Sequence, residues 1–126
     1  MKRAPRSVHR YPRTARLNEL IREIVADELE RIGDEHLEHI AITAVEVEAD
    51  LRHAVVWFDT FGGPDEDDTV LAALAEYRVR LQGAIGRQAR AKRTPLLAFR
   101  PDLAIRSGER IDAVLRDVEE HDDRQP

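Results

Sequence analysis

Val45-Glu46-Val47-Glu48-Ala49-Asp50-Leu51-Arg52-His53-Ala54-Val55-Val56-Trp57 is the stretch that decides the fold. Val45 and Val47 alternate with Glu46 and Glu48, the period of a half-buried strand. Asp50-Leu51-Arg52-His53 reads as a turn, and Ala54 to Thr60 as the returning strand of an antiparallel hairpin. Upstream, the first strand extends over Ile40 to Ala49. Its Ile40/Ile42 and Val45/Val47 pairs have opposite parity, so either a bulge intervenes near Thr43-Ala44 or one face of the strand is only partly covered.

Working outward from the hairpin, Leu17, Leu20, Ile21, Ile24, Val25, Leu29 and Ile32 recur at helical spacing. Thr14 suits an N-cap and Gly33 a C-cap, so a helix is expected over Ala15–Ile32. After the hairpin, Gly62-Gly63-Pro64 opens a loop whose acids, Asp65 to Asp68, lie where a helix N-terminus favours negative charge. Val70, Leu71, Leu74, Tyr77, Leu81 and Ile85 then follow at spacings of three or four, toward Ala91. Gly83 and Gly86 weaken that helix, and a kink or a break is expected between Ala75 and Gly86. Pro95 ends it, and Leu96-Leu97-Ala98-Phe99 forms a third strand. Ser107 is the expected cap of a last helix with Ile111, Val114, Leu115 and Val118 inside. The order α-β-β-α-α-β-α predicts an α+β sandwich, with a three-stranded sheet covered by helices on one face.

The chain has 126 residues, 42% hydrophobic and 36% charged, and carries a net charge of −5. One soluble domain is expected, over residues 13–118, between a flexible basic tail at 1–12 and a flexible acidic tail at 119–126. Cysteine is absent, so disulfides and thiolate chemistry are excluded, which fits a reducing, cytoplasmic setting. No apolar run approaches the ~20 residues of a membrane helix.

The total charge hides a segregation. Met1–Arg16 holds six basic residues and no acid; Leu17–Glu76 holds seventeen acids and three arginines. Tyr77–Pro101 holds seven basic residues and no acid, and Asp102–Pro126 is acidic again, eight against four. The two basic blocks are candidates for a polyanion surface. Arg80, Arg87 and Arg90 would share one face of a continuous helix, with Lys92 and Arg93 at its end. The guanidinium fork matches phosphate oxygens and stacks on bases.

Chemistry is otherwise sparse. His36 and His39 sit three apart among acids, without a second ligand cluster to close a metal site. Ser7, Ser107 and five threonines include no nucleophile elbow, and no Walker or dinucleotide motif occurs. No catalytic residue, cofactor or metal is expected, and nothing points beyond a monomer. Gly83-Ala84-Ile85-Gly86 matches the G-x-x-G loop of KH domains, but its apolar middle favours glycines that serve helix packing.

Four motifs in order resemble the bacterial ribosome-binding factor A family, over roughly Arg13 to Val118. They are Arg13 and Arg16 ahead of Leu17, Leu20, Ile21 and Ile24; the Val45–Trp57 hairpin; Pro95-Leu96-Leu97-Ala98-Phe99-Arg100-Pro101-Asp102; and Gly108-Glu109-Arg110-Ile111-Asp112-Ala113-Val114-Leu115. The resemblance implies a KH type II fold in which a helix-kink-helix carrying Ala-x-Gly replaces the G-x-x-G loop. This chain departs there. Alignment without gaps puts Tyr77-Arg78-Val79 at the kink and a two-residue shift puts Ala75-Glu76-Tyr77 there, neither with a glycine. The resemblance further implies a non-enzymatic factor that binds the small (30S) ribosomal subunit and its 16S rRNA during late maturation, including rRNA end processing. Arg13, Arg16, Arg78, Arg80, Arg87, Arg90, Lys92 and Arg93 are the candidate RNA-binding residues. The alternatives are a stand-alone KH-like module for single-stranded RNA, or a protein-interaction domain without an RNA role.

Overall fold

The computed structural model describes residues 12–90 and 93–106, with side chains from Thr14 onward. Helix α1 spans Pro12–Ile32, three residues earlier than expected. Proline is well suited to a first helical turn, where its missing N–H is not needed, so Thr14 lies inside the helix instead of capping it. Ile21, Ile24, Val25 and Leu29 are buried along one stripe. Gly33 takes φ +65° and returns its N–H to the Leu29 carbonyl at 3.1 Å, ending the helix as a left-handed C-cap residue does.

Strand β1 (Ile40–Val47) pairs antiparallel with β2 (His53–Thr60). Their register shifts between Ile42 and Ala44, the expected bulge, and Ile42, Val45 and Val47 all reach the core. The extra residue resolves the parity conflict. The strand stops at Val47, short of Ala49, because the turn begins at once. Glu48 N–H donates to the His53 carbonyl and Leu51 N–H to the Glu48 carbonyl, each at 2.8 Å.

Strand β3 (Leu96–Pro101) lies parallel to β2, so the sheet order is β1-β2-β3. Val45, Val56 and Phe99 align across one buried row, and Val47, Ala54 and Leu97 across the next. A parallel pair needs a long crossover, here α2 (Asp67–Glu76) and α3 (Arg78–Ala89). These two and α1 cover the sheet's buried face. The break falls at Tyr77, the residue common to both alignments of the kink, with φ −101° and ψ 9°. The Tyr77 hydroxyl donates to Asp34 Oδ2 at 2.7 Å and ties the break to the residue after Gly33.

Gly86 lets α3 approach its exit segment. A Cβ there would stand 2.9 Å from Thr94 Oγ1. The helix ends at Ala89, and Arg90 takes the left-handed conformation at φ 55°.

The expectation at Ser107 is corrected in part. A helical turn already begins at Leu103, and Asp102 is its cap, with Oδ1 accepting from Ile105 N–H at 3.2 Å. Aspartate caps as well as serine does. Asp102 is buried, accepts from Thr43 Oγ1 at 2.5 Å, and donates its own N–H to the Phe58 carbonyl. Ser107, the inner face from Ile111 to Val118 and both expected tails lie outside the described residues, apart from Pro12. Arg106 grips Asp67 with both terminal nitrogens at 2.7 and 2.8 Å, and Asp59 through Nε at 2.8 Å. Those carboxylates, Asp67 first, raise the Arg106 pKa far above its ordinary value.

Candidate nucleic-acid interface

Three contacts show that α3 runs antiparallel to α1. Tyr77 meets Asp34, Arg80 meets Glu28, and Arg93 and Pro95 share a cleft with Leu17 and Ile21. The N-terminal end of α3 therefore faces the acid-rich end of α1. Its C-terminal end faces the start of α1, where Arg13 and Arg16 stand.

At the first end the arginines are engaged by the fold. The Arg78 guanidinium lies 5.8 Å from the Phe99 ring centroid, a cation–π distance, and its Nε is buried. Arg80 Nε donates to Glu28 Oε2 at 2.8 Å, while Arg31 donates to Glu28 Oε1 at 2.9 Å. Glu28 is 5% exposed, and the two guanidinium groups, Arg80 foremost, hold its carboxyl below the ordinary value. At the break, the Tyr77 hydroxyl and then the His36 amide hold Asp34 down likewise, and Asp34 raises the tyrosine.

At the second end Arg16, Arg87, Arg90 and Arg93 are exposed, and among the described residues none has an acidic partner within ion-pair distance. Cations here also complement the negative end of the α3 dipole. Arg52 in the hairpin turn joins them, lining one cleft with Arg93. Sequence reasoning passed over Arg52 because it sits in the acid-rich block. The signal that could have found it is its place at the tip of a hairpin whose turn must be exposed. Lys92 and the side chain of Arg13 lie outside the described residues.

The eight candidates thus divide. Arg16, Arg87, Arg90 and Arg93 are presented to solvent, whereas Arg78 and Arg80 are held by internal partners, Arg80 with half its side chain still exposed. The G-x-x-G match makes no loop: Gly83 to Gly86 lie within α3, with Ala84 and Ile85 fully buried. That removes the geometric basis of the stand-alone KH module.

Among the described residues Glu48, Asp50 and His53 bring ligand atoms within 4.8 Å of one another, all exposed. The turn explains their closeness, since Asp50 accepts from the Arg52 N–H at 2.8 Å and pairs with His53 Nδ1 at 3.0 Å. His36 pairs with Asp34 at 3.2 Å.

Comparison with known proteins connects this geometry to a family. A ribosome-binding factor A from Rubrobacter xylanophilus is 35% identical over 111 residues, covering 87% of this chain and 90% of the relative. The crystal structure of ribosome-binding factor A from Thermus thermophilus superposes with a TM-score of 0.64 at 27% identity, over 70% of this chain and 94% of that one. A homology model of the Thermus thermophilus factor, fitted into the cryo-electron-microscopy map of a 30S complex, matches with a TM-score of 0.57 at 27% identity, over 68% and 91%. The family model for ribosome-binding factor A matches residues 13–115, and with these relatives it establishes that the chain belongs to the ribosome-binding factor A family.

Proposed function

We propose that this chain is an assembly factor that binds the small (30S) ribosomal subunit and contacts its 16S rRNA through the C-terminal end of α3. Arg87, Arg90 and Arg93 form the centre of the contact, with Arg16 and Arg52 beside them. The observation that carries this is the placing of exposed arginines from three chain segments toward one end of the α1/α3 pair, those of α1 and α3 without an ion-pair partner among the described residues. Exposed guanidinium groups bind phosphodiesters by fork geometry and by counterion release. The acid-rich remainder disfavours casual binding to other RNA and so favours docking at one place. The Thermus thermophilus relative fitted to a 30S complex supports the same partner. Late maturation, including processing of the 16S rRNA ends, is the step assigned to it, and the chain acts there by binding, without catalysis.

Sucrose-gradient sedimentation of cell lysate tests the assignment. The wild-type chain should travel with small subunits, and R87E/R90E/R93E should remain at the top of the gradient. Continued travel of the reversed variant with small subunits would refute the surface. Replacement of the wild-type chain by this variant should lengthen the 16S rRNA termini, read by primer extension.

A further inference from the structure

Between the start of α1, the β1–β2 turn and the segment before β3 lies a cleft of about 330 Å³. Leu17, Ile21, Leu51 and Pro95 make its walls apolar, while Arg52, Arg93 and Asp50 supply the polar lining. Leu51 is 53% exposed and holds φ 59°, a left-handed conformation that a leucine adopts at a cost in free energy. A turn selected for stability alone would favour glycine or asparagine there. The cleft therefore presents an apolar wall beside Arg52 and Arg93.

We propose that this cleft seats one unstacked base of single-stranded RNA. The inference rests on the RNA-binding assignment above and adds to it a contact that is not electrostatic. Its volume suits a small planar ligand. Charge sorts the nucleotide: Arg52 and Arg93 attract phosphate, whereas the Asp50 carboxylate repels phosphate from the interior and leaves the apolar walls to the base. Single strands are held by cationic groups along the phosphates together with a platform for the bases, a part that aromatic rings or arginine planes commonly take and that Leu51, Pro95 and the Arg52 and Arg93 planes would take here.

The test is Leu51→Gly in the full chain. Glycine adopts φ 59° without strain, so the unfolding midpoint should not fall. Affinity for purified small subunits should drop about five- to tenfold, the low end for a lost base contact, because an aliphatic side chain and not an aromatic ring is removed. The slope of log affinity against log salt should stay unchanged, because no phosphate contact is removed. Probing the subunit RNA with dimethyl sulfate and carbodiimide should reveal at least one base that the wild type protects and the variant leaves reactive. Unchanged affinity would overturn the inference. So would lost affinity with an identical set of protected bases, which would put a protein side chain in the cleft. Failure of the broader assignment looks different: R87E/R90E/R93E would then also bind like the wild type.

Discussion

The two ends of α3 carry arginines in similar number and use them in opposite ways. At the N-terminal end, Arg78 packs over Phe99 and Arg80 reaches the buried Glu28. At the C-terminal end, Arg87, Arg90 and Arg93 stand in solvent. The cause is the antiparallel course of α1, whose last turns carry Glu28 and Glu30, with Asp34 just beyond them, and whose first carry Arg13 and Arg16. One stretch without acids is thereby split into a structural half and a presenting half. An arginine's role follows from what the opposite helix offers it, and a count of positive charge does not reveal it.

Charge reversal at the presenting end gives the largest expected effect. R87E/R90E/R93E should weaken small-subunit binding about a hundredfold, with a shallower salt dependence. Its folding stability should stay within about 0.5 kcal/mol of the wild type. Arg80→Ala should do the reverse, lowering the urea midpoint while changing affinity by less than any of the three. If Arg80→Ala weakens binding as much as Arg87→Ala does, the division of α3 is broken.

Arg106 extends the structural half of the comparison to a third region. Its three hydrogen bonds tie the chain after β3 to β2 and to the first turn of α2. Arg106→Ala should therefore cost about 2 kcal/mol in urea denaturation and leave the salt slope of subunit binding intact.

The two ends should also answer to different solution conditions. Glu28 has a carboxyl held below its ordinary value of 4.5, so its contribution to stability is complete above that pH. That contribution is lost as pH falls through the depressed folded value. Glu28→Gln should lower stability at neutral pH and flatten its decline below pH 4.5, with salt-dependent binding preserved. Tyr77 gives the smallest effect and the opposite sign. Its hydroxyl is raised above 10.0 by Asp34, so its contribution is complete below that pH and fades above it. Tyr77→Phe should lose only this hydrogen bond, and thermal melts of variant and wild type should converge as pH rises past 10.0.

Much of the scaffold was legible. The α1 stripe ends at Gly33, the parity conflict located the bulge between Ile42 and Ala44, and the helix break fell inside the expected interval. Each of these is a local signal, carried by residues within a few positions of one another. The cap at Asp102 was missed for the opposite reason. Its burial depends on Thr43, fifty-nine positions away, and Ser107 offered an equally good local cap. The binding surface was legible as composition, in the two basic blocks, but not as geometry.

The pattern of side chains along the chain was enough to set the elements, their order and the presence of two cationic stretches, because hydrophobic period and charge are properties of neighbours. Which arginines remain available was decided only when α3 lay down against α1. Glu28 and Arg80 are fifty-two positions apart, and Arg106 is forty-seven from Asp59. A guanidinium group is captured by whichever carboxylate the folded backbone brings within hydrogen-bonding reach, and that proximity exists only in three dimensions.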